Sequence, residues 1–136
     1  MDLNEARDLL RHQHRAVLAT WRADGSPQLS PVVVGLDDDG YAVISTRETA
    51  YKVRNLRRDP RAWVCVLPDT FFGRWIQVEG TATIVDLPEA MDGLIDYYRG
   101  ISGEHPDWDD YRAAMVRDRR VLVVVELTKA GPDRSG

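Results

Sequence analysis

The sequence has one cysteine, Cys65, in 136 residues, which excludes an intrachain disulfide, and it has no Cys/His cluster able to hold a structural zinc ion. No apolar run approaches the roughly 18 residues that a membrane-spanning helix needs. The opening residues Met1-Asp2-Leu3-Asn4-Glu5 show neither the basic start nor the apolar stretch of a secretory signal. The expectation is a cytoplasmic protein with no membrane insertion. Lysine is scarce too: of 18 basic residues only Lys52 and Lys129 are lysines, which makes Lys52 conspicuous. Acids outnumber bases, and a net charge of −4 does not suit a protein that coats nucleic acid. Any anion site must be local.

What is present fits an ordinary globular chain, 43% hydrophobic and 29% charged, of a size for one domain over residues 1–136 with 131–136 as a flexible tail. Leu3, Ala6, Leu9 and Leu10 fall at helical spacing and predict an amphipathic opening helix. A β-prone run from Ala16 is separated by Asp24-Gly25 from a second run through Val34, the mark of a hairpin. Pro31 cannot donate to a ladder, so that strand belongs at an edge, at a bulge or over a ligand. Tyr41 to Thr46 makes a third strand.

Thr49 is the expected N-cap of a helix over 50–58, which Asp59-Pro60 ends because a residue before proline is pushed out of helical conformation. Strands follow over 62–67 and 75–85, with Gly80 predicting a bulge or bend. A helix opened by Asp86, a shorter one over 109–116 and a last strand over 121–127 complete the pattern. The fold class is α+β: six largely antiparallel strands in a small barrel with peripheral helices.

The segment 47–61 concentrates Arg47, Lys52, Arg54, Arg57, Arg58 and Arg61 against only Glu48 and Asp59. A solvated helix face is the commoner explanation of such a run. The alternative is an anion site where a strand end meets a helix start, with Lys52 in the first turn.

The stretches Asp24-Gly25-Ser26-Pro27-Gln28-Leu29-Ser30, Lys52-Val53-Arg54-Asn55-Leu56-Arg57-Arg58-Asp59-Pro60-Arg61 and Glu79-Gly80-Thr81-Ala82 resemble the pyridoxamine 5′-phosphate oxidase-like split β-barrel flavoproteins. Gly103-Glu104-His105-Pro106-Asp107-Trp108-Asp109-Asp110-Tyr111-Arg112, with Ala114-Met115-Val116 and Asp118-Arg119-Arg120-Val121-Leu122, is similar to the branch that uses the deazaflavin coenzyme F420. The resemblance implies a homodimer of six-stranded split barrels with the cofactor at the subunit interface. It implies that Ser45, Thr46 and Lys52 hold the cofactor phosphate, that Ser30, Pro31, Val32 and Val33 line the ring, and that Trp75 offers an apolar wall. Relatives carry an arginine where this chain has Ala50, and Arg47 is the candidate substitute. The true oxidases place a glutamine near Trp75 and carry C-terminal substrate-binding residues absent here, which argues against vitamin B6 oxidation.

By their position alone, Pro31 reads equally well as an edge-strand marker and Trp75 as a core or interface aromatic. His12 and His14 fit the end of the first helix, and His105 a loop near the cleft. Asp107, Asp109 and Asp110 fit helix N-terminal charges. Tyr97, Tyr98 and Trp108 either line a substrate mouth or pack, and Cys65 is expected to be an inert buried thiol. The first functional expectation is an F420-dependent hydride transfer to a small unsaturated or conjugated molecule, with no general acid assigned. Alternatives are an FMN-dependent oxidoreductase or a non-catalytic protein that binds flavin, F420 or haem.

Overall fold

The computed structural model describes residues 1–136. Helix α1 covers Leu3–Leu10, β1 Arg15–Trp21, β2 Pro27–Val33, β3 Gly35–Leu36, β4 Ala42–Arg47, α2 Tyr51–Arg58, β5 Arg61–Leu67, β6 Arg74–Val85, α3 Met91–Ser102, α4 Trp108–Arg117 and β7 Arg120–Ser135. The strands make one antiparallel sheet in the order β2-β1-β5-β6-β7-β4-β3, curled into a split barrel with the helices at its periphery. The expected α+β class holds, with the two-residue β3 as a seventh strand.

Alternation along the strands sends Leu18, Ile44, Val64, Val66, Val78 and Val123 inward, all without solvent exposure. Ala6 and Leu10 of α1 and Leu56 of α2 join this inner core. A second cluster lies on the opposite face of β4 and β7, where Val43 and Leu122 meet Leu94, Ile95 and Tyr111 of α3 and α4. The outer face of β2-β1-β5-β6 carries no helix. There Val17, Ala19, Trp63, Cys65 and Trp75 are half-buried, and Leu29 and Val33 are exposed.

Gly80 marks the bulge that its position predicts. The β6–β7 register slips between Glu79 and Gly80, and a Cβ there would stand 2.0 Å from the Glu126 carbonyl oxygen. Pro31 lies on β2, an edge strand of the sheet.

Several boundaries differ from the sequence reading. Ala50, not Thr49, occupies the N-cap of α2, and no side chain caps it. Residues 87–90 form turns and α3 begins at Met91, because Leu87 precedes Pro88 and is disfavoured in helical conformation. The segment 131–135 is not a loose tail but the end of β7, where Arg134 pairs with Trp75 and Asp133 takes a fork of two 2.9 Å hydrogen bonds from Arg74. Polar composition hid this strand, which the early start of β6 requires as a partner. Cys65 is not fully buried as its strand position suggested but half-buried on the uncovered outer face, and burial pushes its thiol pKa up.

Candidate functional site

Helix α2 is anchored at the mouth of the barrel by Asn55, a nearly fully buried side chain. Its amide donates to Thr20 Oγ1 at 3.1 Å and Gln28 Oε1 at 2.8 Å, tying the helix to β1 and β2. Its carbonyl accepts from Arg58 at 3.1 Å, and Arg58 also donates to the Trp21 carbonyl at 2.7 Å. Val53 and Leu56, three positions apart, bury the face that meets the core. These contacts settle the direction in which Lys52 projects.

The basic run then divides. Arg57 pairs with Asp86 at 2.8 Å, Arg61 with Asp59 at 2.7 Å, Arg58 is held as above, and Arg54 lies over the Tyr51 ring at 5.6 Å. Those four follow the solvated-face reading. Lys52 instead lines a cleft of about 590 Å³ together with Ser45 and Thr46 of β4 and Pro31, Val32 and Val33 of β2. The other walls are Tyr97 and Tyr98 from α3, Tyr111 and Met115 from α4, and Arg120 at the start of β7.

No aspartate or glutamate lines this cleft, although the protein is acidic overall. Lys52 and Arg120 therefore place two positive charges in it uncompensated. Burial, and secondarily the Arg120 charge, hold the Lys52 ammonium below the usual lysine range. The Nε of Arg120 is buried and has no hydrogen-bond partner. The first turn of α2 has no acidic residue and no side-chain cap, and while the Val53 N–H donates to the Ala50 carbonyl, the N–H groups of Tyr51 and Lys52 are open to an external anion. The corner between β4 and α2 has the donor set of a phosphate site: an ammonium, two hydroxyls and a helix start.

The tyrosines are fixed rather than free. Tyr97 donates to the Val33 carbonyl at 2.8 Å, clamping the edge strand to α3. Tyr111 donates to the Leu94 carbonyl at 2.8 Å, joining α4 to α3. Burial raises both phenols, Tyr111 to about 12, while the Arg120 charge pulls the other way. Tyr98, His105, Trp108 and Tyr111 form a cluster with ring centroids 5.1–5.8 Å apart, Trp108 standing edge to face with both tyrosines, and Glu104 bridges Arg99 and the Trp108 indole at 2.6 and 3.0 Å. The Gly103–Arg112 motif is thus mainly a packed aromatic buttress behind the tyrosine wall. Asp107 caps α4 by accepting from Asp110 N–H at 3.1 Å.

Of the nine residues singled out from sequence, Pro31, Val32, Val33, Ser45, Thr46 and Lys52 come together here. Ser30, Arg47 and Trp75 do not. Ser30 pairs with Leu18 and lies deeper along β2, Arg47 is exposed beyond the cleft, and Trp75 is on the outer face of β6 opposite Arg134. The position opposite Arg47 across the β4–β7 ladder is Arg120, and that is the arginine that lines the cleft. Sequence reasoning missed it because only the β4–β7 pairing brings residues 73 positions apart side by side.

Residues 3–130 match the family model described as pyridoxamine 5′-phosphate oxidase. The chain is 27% identical over 127 residues to an F420H(2)-dependent biliverdin reductase of Mycobacterium tuberculosis (strain CDC 1551 / Oshkosh), covering 93% of this chain and 84% of that protein. Among solved structures, the conserved hypothetical protein Rv2991 of Mycobacterium tuberculosis superposes with a TM-score of 0.79 at 27% identity, over 99% of this chain and 85% of that one. An F420 reductase superposes with a TM-score of 0.68 at 25% identity, over 92% and 94%. The heme storage protein HutZ of Vibrio cholerae shares the fold alone, with a TM-score of 0.73 at 17% identity over 100% and 98%. The fold is therefore one whose members are named for F420-type cofactors and for heme.

Proposed function

The chain belongs to the pyridoxamine 5′-phosphate oxidase family, and on that footing we propose that its cleft binds coenzyme F420 and serves hydride transfer to a small conjugated acceptor. The observation that carries this reading is a cleft with Lys52 and Arg120 and no carboxylate, on a scaffold similar to proteins named for F420. Lys52, the hydroxyls of Ser45 and Thr46 and the first-turn N–H groups of α2 hold the phosphate. The backbone of Pro31–Val33, steadied by Tyr97, lines the ring, and Tyr98, Tyr111 and Met115 exclude water from it. The bound cofactor supplies the hydride. FMN carries the same phosphate and is the alternative cofactor.

A second copy of the chain completes the site in this proposal. The uncovered outer face of β2-β1-β5-β6 supports it, since it adjoins the cleft through β2 and carries Val17, Ala19, Leu29, Val33, Trp63 and Trp75. Trp75 would then reach a cofactor only across that interface.

One observation favours a second reading, a carrier without turnover. No histidine, cysteine, aspartate or glutamate lines the cleft, and burial moves the Tyr97 and Tyr111 phenols up, away from neutrality. Haem is less well served, because no histidine lines the cleft: His14 Nδ1 donates to the Val34 carbonyl at 2.8 Å, and His105 sits in the aromatic cluster.

Fluorescence titration with F420 and FMN in parallel tests the cofactor assignment. Tighter binding of F420 supports it, preference for FMN replaces the cofactor, and binding of neither overturns the reading. Reoxidation of reduced F420 across a panel of quinones, enones and tetrapyrroles separates the reductase from the carrier.

A further inference from the structure

Two buried polar side-chain atoms in the molecule lack a hydrogen-bond partner, and one of them, Arg120 Nε, belongs to the cleft. Arg120 also lines a neighbouring hollow with Glu48 and Asp86, but Glu48 pairs with Arg119 at 3.4 Å and Asp86 with Arg57 at 2.8 Å. No carboxylate comes within ion-pair distance of Arg120 itself. A partly buried guanidinium with an unpartnered Nε and no counter-charge gains from an external anion that meets both needs.

The cleft is also divided in character. Its β4–α2 side offers hydroxyls, backbone N–H groups and the compact charge of Lys52, which suit a phosphate. Its remaining lining is Tyr97, Tyr98, Tyr111 and Met115, an aromatic wall whose Tyr97 and Tyr111 lie within reach of the charge of Arg120, a planar, fork-shaped donor. A guanidinium fork matches a carboxylate in two parallel hydrogen bonds, and flat aromatic walls suit a flat conjugated body.

We propose that Arg120 anchors the carboxylate of the substrate, so that the acceptor is a conjugated organic acid. This rests on the cofactor reading above, in which Lys52 and its corner are occupied by the phosphate and Arg120 is left for the second ligand. Arg120 is a specificity-determining residue in this account, and Arg47, its neighbour across the ladder, takes no part.

The test uses the full chain, with and without F420, and a set of conjugated acids paired with their methyl esters: biliverdin, cinnamate and a naphthoate. Binding is read from quenching of tryptophan fluorescence, which needs no turnover. Wild type should bind at least one acid about tenfold or more tighter than its ester, the ratio expected when a charge-assisted hydrogen bond is lost. R120Q should bind acid and ester alike, and R120K should fall between, having charge without the fork. The affinity of R120Q for F420 should stay within about twofold of wild type, and circular dichroism should show the same fold. A wild type that binds no acid in preference to its ester overturns the proposal, as does an R120Q protein that keeps the preference. If R120Q loses F420 instead, Arg120 serves the cofactor phosphate and the substrate assignment falls while the cofactor reading stands. If wild type binds an acid through Arg120 but no F420, the reverse holds.

Discussion

Lys52 on α2 and Arg120 on β7 face one cleft that no acidic side chain lines, and the Arg120 charge adds to burial in disfavouring the Lys52 ammonium. Bound anions relieve this. The arrangement is a cost to the empty protein that binding offsets, which links stability to function at these two positions.

Replacing Lys52 by methionine should therefore raise the melting temperature of the ligand-free protein by a few degrees near neutral pH while removing cofactor affinity. The folded-state pKa of Lys52 lies below its unfolded value of about 10.5, so the folded state binds fewer protons and stability rises as pH climbs toward that value. Calorimetry at pH 7 and pH 10 checks the sign: the advantage of the variant should shrink at the higher pH.

Asn55 touches no proposed ligand but fixes α2 against β1 and β2. Asn55→Ala strands buried polar partners at Thr20 and Gln28, and urea unfolding should show a loss of about 1–3 kcal/mol. Cofactor affinity should fall as well, since Lys52 loses its registration.

Tyr111 holds its proton to about pH 12 in the folded state, against 10.0 for an ordinary phenol. A raised phenol pKa means stability that is fully present below pH 10 and is lost as pH rises toward 12. Tyr111→Phe should cost about 1 kcal/mol at pH 7 through the orphaned Leu94 carbonyl. It should also flatten the alkaline loss, which denaturation between pH 9 and pH 11.5 measures.

At Gly80 the Glu126 carbonyl leaves no room for a Cβ. Gly80→Ala should destabilise by about 3 kcal/mol or prevent soluble expression, because the β6–β7 bulge must open to admit the methyl group. Thermal melting decides it.

The uncovered sheet face gives a prediction about assembly. Ala19 sits in its middle, flanked by Leu29 and Trp63 on the neighbouring strands. Ala19→Arg should turn a dimer into a monomer in light scattering and weaken cofactor binding in parallel. A wild-type protein that is monomeric at micromolar concentration removes the interface from the account.

Local signals carried much of this fold. The Asp24-Gly25 hairpin, the stop at Asp59-Pro60 and the bulge at Gly80 each rest on backbone chemistry that a few adjacent residues determine, and each stands in the structure. What short windows could not show is pairing over distance. The polar segment 131–135 becomes strand only because the start of β6 lies beside it, and Arg120 enters the cleft only because β7 pairs with β4. The basic run after β4 illustrates both sides: its spacing left a solvated face and an anion site with Lys52 as alternatives, and the structure divides them, with Arg54, Arg57, Arg58 and Arg61 outside the cleft and Lys52 in it.

The most direct test of the central claim is a crystal structure of the protein with F420 bound. The account predicts the cofactor phosphate within hydrogen-bonding distance of Lys52 Nζ and the hydroxyls of Ser45 and Thr46, at the start of α2. A phosphate held elsewhere, with Lys52 directed into solvent, would contradict it.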